Sequence, residues 1–187
     1  SGMSYYVNGV RVQTAATSTT DRGDLFIGNS AGTSPLGDFR SDDIRAYTRE
    51  LTQAEITHLA EARGIEGPAP VGLGDEKLWL CPSLNDSAND ISGNGNNGAY
   101  QNGMATVADT GAGGSRSYHA DAVDQTVLVS GFGQDLSETT TISLWVKSIN
   151  PWVCVPVAQG GLGYSTSIWQ YAVFNSGTTR ILRRRSA

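Results

Sequence analysis

Little in this chain of 187 residues is charged or sulfur-bearing. Its two cysteines, Cys81 and Cys154, are too few for a disulfide framework, which excludes a small stapled scaffold. Both lie in apolar, strand-like runs, where buried free thiols are expected and a single bridge between them stays open. At this length one core removes roughly 70% of the unfolded surface, so folding requires neither a bridge nor a metal. No run of 18 apolar residues occurs, so no membrane-crossing helix is expected, and no signal-peptide pattern is read. The net charge of −5 argues against a general nucleic-acid or membrane-surface binder. Arg180, Arg183, Arg184 and Arg185 crowd the last residues and read as a solvated tail, which leaves the rest of the chain more acidic still. Gly111–Gly114 has no Lys-Ser or Lys-Thr after it, so a phosphate cradle is excluded. His58 and His119 lack zinc-ligand spacing to each other and to the cysteines.

What the chain does have is turn formers. Its 23 glycines, with plentiful Ser, Thr and Asn, punctuate short β-branched and aromatic runs, the pattern of an all-β protein. Tyr5–Val12 contains Asn8-Gly9, whose tolerance of positive φ suits a two-residue hairpin turn. Leu25–Gly28 reads as a short buried strand. Asp43–Tyr47 alternates, with Ile44 and Ala46 on one face and Arg45 and Tyr47 on the other. One helix is expected near residues 53–63. Thr52 and Glu55 form a capping box, Leu51 and Ile56 a hydrophobic staple, and Gly64 a stop. Gly67–Pro70 is the best linker. Further strands are expected at Lys77–Cys81, Gly98–Gln101, Ser117–Ala120, Thr126–Ser130, Thr141–Lys147, Val153–Ala158, Tyr164–Trp169, Tyr171–Phe174 and Arg180–Leu182. Many short strands with one helix predict a sandwich or barrel.

Several stretches resemble a laminin G-like domain. Tyr5–Val12 resembles its hairpin, and Leu25–Gly28 with Gly37–Ile56 its last strands and closing helix. Lys77–Gly98, with Trp79, Asp90 and Ser92–Gly98, resembles its first strand and the turn that follows. Ser117–Ser130 and Thr141–Lys147 resemble its middle strands. The resemblance implies a concanavalin A-like jelly-roll β-sandwich of two antiparallel sheets, extracellular or cell-surface, binding glycans or proteins. The closing signature precedes the opening one. This reads as one circularly permuted domain over 1–187, with residues 5–66 as the family's C-terminal segment, 67–70 as the splice and 71–187 as its N-terminal and middle part. The rival reading is two incomplete halves that pair with other chains, and an open sheet edge favours a homo-oligomer.

Glucanases of this fold carry a Glu-x-Asp-x-Glu strand. None of Glu50, Glu55, Glu61, Glu66, Glu76 and Glu138 has an Asp two residues later, so no glucanase activity and no enzyme is expected. Glycan binding needs aromatic platforms beside polar groups. Trp152, Tyr164 and Trp169 are the candidate ligand-binding residues, with Tyr171 and Tyr100 behind them, while Trp79 and Trp145 are assigned to the core. Calcium is the one cofactor the resemblance implies. Asp124 and Gln125 stand where the pentraxin branch has an Asp-Asn pair, and Asn29 opens the loop that would complete the site, although Asn29–Pro35 contains no carboxylate. Asp90 with Asn94–Asn97 is expected to form a capped turn, and Asp42 and Asp43 to accept backbone bonds or pair with an arginine.

Overall fold

The computed structural model describes residues 2–7, 9–16, 24–28, 38–61, 72–108, 116–122, 125–132, 141–148, 154–160 and 167–173; in the last two segments and much of the first two it describes the backbone alone. Strands β1 (Gly2–Val7) and β2 (Val10–Ala16) pair antiparallel, with Val7 opposite Val10 and Gly9 at φ +78°. This hairpin is a separate two-stranded sheet. The remaining strands in chain order are β3 (Leu25–Gly28), β4 (Phe39–Tyr47), β5 (Leu78–Leu80), β6 (Ala99–Gln101), β7 (Ala105–Ala108), β8 (Arg116–Ala120), β9 (Thr126–Val129), β10 (Thr141–Ser148), β11 (Cys154–Gly160) and β12 (Ser167–Val173). They form two five-stranded antiparallel sheets, the all-β sandwich expected. One runs β12-β11-β3-β9-β6. The other runs β10-β4-β8-β7, with β5 also beside β4.

Strand β4 organises the second sheet. One edge pairs with β10 along its length; the other pairs with β8 at Phe39–Ser41 and with β5 at Ile44–Ala46. The alternation read from the sequence holds. Ile44 and Ala46 enter the core between the sheets with Leu78, Leu80, Tyr118 and Ala120, and meet Leu25, Ile27, Val127 and Val129 from the facing sheet. Opposite β10 the register slips, because Ser143 faces Arg45 while Trp145 faces Asp42. Two residues of β4, Asp43 and Ile44, therefore oppose Leu144, and Asp43 sits at φ +52°. This bulge re-aims the Asp43 carboxylate along the outer face of the sheet.

On that outer face a polar group is packed instead of solvated. Asp43 accepts from Arg45 Nε at 2.9 Å and Nη2 at 3.1 Å, and from Trp79 Nε1 at 2.7 Å. Glu76 accepts from Tyr47 Oη at 3.2 Å and from the Gly74 amide at 3.0 Å. Arg45 Nη1 reaches Glu76 at 3.5 Å, and the guanidinium stacks 4.2 Å from the Trp79 ring. Burial opposes the charge on Arg45, but Asp43 beside it more than offsets this and the pKa rises. Burial likewise drives the Tyr47 hydroxyl upward. The assignment of Trp79 and Trp145 to the core is corrected. Trp79 is half-buried on the outer face, because its neighbours Leu78 and Leu80 take the inward positions. Trp145 follows the same rule, since Leu144 and Val146 on either side of it face the core.

Helix α1 (Gln53–Glu61) starts as its sequence predicts. Glu55 Oε2 accepts from the Thr52 amide at 2.7 Å, Thr52 Oγ1 accepts from the Glu55 amide at 3.3 Å, and Leu51 and Ile56 pack with Tyr47 and Leu59. The hairpin tip rests on this helix, with Gln53 Nε2 donating to the Gly9 carbonyl at 2.7 Å. Helix α2 (Pro82–Asn85) and strand β7 are additions to the elements expected from the sequence. The two strands expected at Tyr164–Trp169 and Tyr171–Phe174 are one strand, β12, since nothing between Trp169 and Tyr171 breaks it. Arg180–Leu182, Gly64 and the 67–70 linker lie outside the described residues.

Candidate functional site

The Asp90 turn shows how thoroughly most polar groups are committed. Asp90 Oδ1 accepts from the amides of Trp79 and Ser92, each at 2.9 Å, and Oδ2 from that of Asn96 at 2.9 Å. Asn94 and Asn96 each donate at 2.8 Å to the carbonyls of Glu76 and Lys77. The oxygen-rich loop is thus a capped turn that holds the start of β5, as the sequence suggests. Asp42 and Asp43 are likewise structural. Asp42 Oδ1 accepts from the Asp43 amide at 2.8 Å and lies 3.6 Å from the sulfur of Cys81, a buried free thiol. His119 Nε2 lies 2.8 Å from Asp38, and His58 is exposed on α1.

Of the residues nominated for binding, Trp152 and Tyr164 lie outside the described residues. Trp169 is placed on β12 opposite Gln159, as backbone only. Asn29 and Asp124 are also outside. Gln125 Oε1 accepts from the amides of Asp121 at 2.8 Å and Ala122 at 3.0 Å, so its side chain caps the turn before β9. Among the described residues no three His, Cys, Asp or Glu side chains converge as a metal-binding group.

One rim of the sandwich does gather chemistry. Strands β6 and β7 are edge strands of opposite sheets, joined by the turn Gln101–Met104. Asn102 and Gly103 adopt φ +54° and +82°, and the Met104 amide donates to the Gln101 carbonyl at 3.0 Å. This Asn-Gly turn carries the chain from one sheet to the other and brings Tyr100 of β6 near Thr106 of β7. Tyr100 is 41% exposed. Its ring stands edge-to-face against the buried Tyr118, with centroids 6.2 Å apart and planes at 69°. Tyr118 is itself anchored, since its hydroxyl donates to the Ser87 carbonyl at 2.8 Å.

Three polar side chains form a linked group, two of them within electrostatic reach of Tyr100. Asp86 ends α2 in the left-handed region, where its amide donates to the Pro82 carbonyl at 2.9 Å. Its Oδ1 accepts from Thr106 Oγ1 and pairs with Arg116 Nε. Thr106 Oγ1 accepts from Arg116 Nη2 at 3.2 Å. Among the described residues Asp86 Oδ2 and Arg116 Nη1 have no partner, and both side chains reach solvent, at 51% and 36% exposure. Burial raises the Tyr100 pKa; Asp86 adds to the rise and Arg116 opposes it, so both charged groups lie within electrostatic reach of the ring hydroxyl. Asp86, Thr106 and Arg116 escaped sequence reading. They come from a helix end and two strands, with no spacing to mark them.

Residues 1–57 match a family model, that of the concanavalin A-like lectin/glucanases superfamily. No curated protein and no solved structure matches the chain. The matched segment supplies β3, at the centre of one sheet, and β4, paired on both edges in the other. Over residues 1–57, within a sandwich of two antiparallel sheets, the chain is similar to the concanavalin A-like lectin/glucanases superfamily.

Proposed function

We propose that this protein is a non-catalytic, lectin-like module that binds carbohydrate on extracellular or cell-surface glycans. The observation that carries the reading is the rim at Tyr100. A held, part-exposed aromatic ring lies within electrostatic reach of a carboxylate and a guanidinium that both engage the Thr106 hydroxyl, a combination suited to the apolar face and the hydroxyl edge of a sugar. The buried carboxylates Asp42, Asp43 and Glu76 are engaged by Arg45, Trp79, Tyr47 and backbone amides, which leaves them unsuited to acid–base work on a substrate. A glycan array probed with and without calcium tests the reading. Binding that Tyr100→Ala abolishes supports it, and silence across the array refutes it. Loss of binding on calcium removal moves the site from this rim to Asn29, Asp124 and Gln125.

We further propose that residues 1–187 form one permuted domain. The pairing of β4 with β5, β8 and β10, and of β3 with β9 and β11, supports this. A second reading, a protein–protein assembly module completed by a neighbour, draws on β10. Among the described residues this eight-residue strand pairs with β4 alone, and a bare edge of that length invites another strand. Light scattering over a concentration series decides it, since a strictly monomeric protein contradicts that reading.

A further inference from the structure

We infer that the rim formed by Tyr100, Asp86, Thr106 and Arg116 selects neutral sugars and discriminates against uronic and other acidic sugars. This deepens the lectin reading above and rests on it. The argument begins with charge. Arg116 is the cation of the rim, and Asp86 sits on its Nε. The guanidinium is therefore already compensated, and an incoming carboxylate meets a pair with no net charge plus a repelling Asp86 oxygen. A neutral hydroxyl meets no such opposition, and it can both donate and accept.

The free positions suit neutral hydroxyls. Asp86 Oδ2 can only accept and Arg116 Nη1 can only donate, and they project from two groups clamped together through Asp86 Oδ1, Arg116 Nε and Thr106 Oγ1. A sugar hydroxyl can donate to Oδ2 or accept from Nη1, so either position suits it. The clamp keeps both side chains from having to be ordered on binding, which lowers the entropic cost. Tyr100 supplies the third element, a ring whose tilt is set by Tyr118 and on which the C–H face of the sugar packs. Leu84, 45% exposed on α2 two residues before Asp86, adds apolar surface on the same helix.

Affinity electrophoresis of the full chain through gels containing a neutral polymer (galactomannan, laminarin or glycogen) or an acidic one (polygalacturonate or hyaluronate) tests the inference. The wild type is expected to be retarded by at least one neutral polymer and by neither acidic one. Tyr100→Ala is expected to weaken retardation about tenfold or more, with Tyr100→Phe near wild type because the packed ring remains. Asp86→Asn is the discriminating variant. It uncovers the charge of Arg116, so neutral retardation should fall and retardation by the acidic polymers should appear. Melting curves check that each variant folds, and the exposed Arg116→Gln provides a second change at the rim that leaves the core untouched. Retardation of the wild type by acidic polymers, or neutral retardation unchanged in Asp86→Asn, Arg116→Gln and Tyr100→Ala, overturns this inference and leaves the lectin reading in place. No retardation in any gel, together with a silent glycan array, removes both.

Discussion

Replacing Asp43 by Asn tests how the outer face of β4 is held. Asparagine keeps the size of the side chain and tolerates the left-handed region, so the backbone at φ +52° gains no new strain. The charge disappears, however, and an amide N–H group takes the place of one oxygen that now faces the guanidinium or the indole. Arg45 is 1% exposed, so it cannot recover its loss from water. It keeps Glu76 at 3.5 Å and the Trp79 ring at 4.2 Å. Breaking a buried pair by removing one partner costs about 3–5 kcal/mol. The contacts that survive place this case near the lower bound, about 3 kcal/mol, with the Tm falling by about 6–12 °C at this chain length. Urea unfolding followed by tryptophan fluorescence should show a lower midpoint at an unchanged slope. The partner change Arg45→Met supplies a cycle, and the double variant should lose less than the sum of the singles by about 1 kcal/mol or more. A loss below about 1 kcal/mol for Asp43→Asn, or strict additivity, would refute the view that this network is a coupled unit.

Three further outcomes follow from other parts of the fold. The Arg49 guanidinium, followed by the Thr52 amide and hydroxyl, holds the Glu55 carboxyl down at about 2 against an ordinary 4.5. Between those pH values the unfolded chain binds more protons than the folded one, so stability rises with pH there and is lost as pH falls toward 2. Glu55→Gln should flatten the acid limb of Tm against pH, and a limb as steep as the parent's would contradict this. The Ser41 hydroxyl is buried with no partner among the described residues, so Ser41→Ala should gain about 1 kcal/mol in calorimetry, and a clear loss counts against it. Gly28 sits at φ +129°, and a Cβ at this position would come within 2.3 Å of the Gln125 carbonyl oxygen. Gly28→Ala should therefore cost about 3 kcal/mol or more, and a parental urea midpoint would show that β3 and β9 yield easily.

Local rules were the legible part of this chain. The Thr52–Glu55 box, the alternation of Ile44 with Arg45, and the Asx turn at Asp90 depend on neighbours a few residues away, and all three appear as expected. The bulge at Asp43 was not legible, because it is a register difference against β10, roughly a hundred residues later. Helix α2 hid in Pro82–Asn85, a composition that suits turns as well as a single helical turn. Trp79 and Trp145 were assigned to the core because they sit in the strands that most resemble the family. Position decided instead, since on β5 and β10 the aliphatic neighbours already filled the inward places. The rim was half legible. Tyr100 stood among the aromatic candidates, but only the crossing of β6 and β7 through Asn102-Gly103 brings it near Thr106, Asp86 and Arg116.

Strand β4 must wait for its partners. It is complete at Tyr47, while β5 begins at Leu78, β8 at Arg116 and β10 at Thr141. At about 5–20 residues per second, a ribosome needs roughly 5–20 s after finishing β4 to deliver β10. Until β5, β8 and β10 have followed it, β4 lacks the strands that cover Phe39, Ile44 and Ala46 and bury Arg45. Helix α1 is closed by local contacts, its capping box and its packing on Leu51 and Tyr47. Every pairing that β4 makes is therefore non-local, the kind of contact that slows folding.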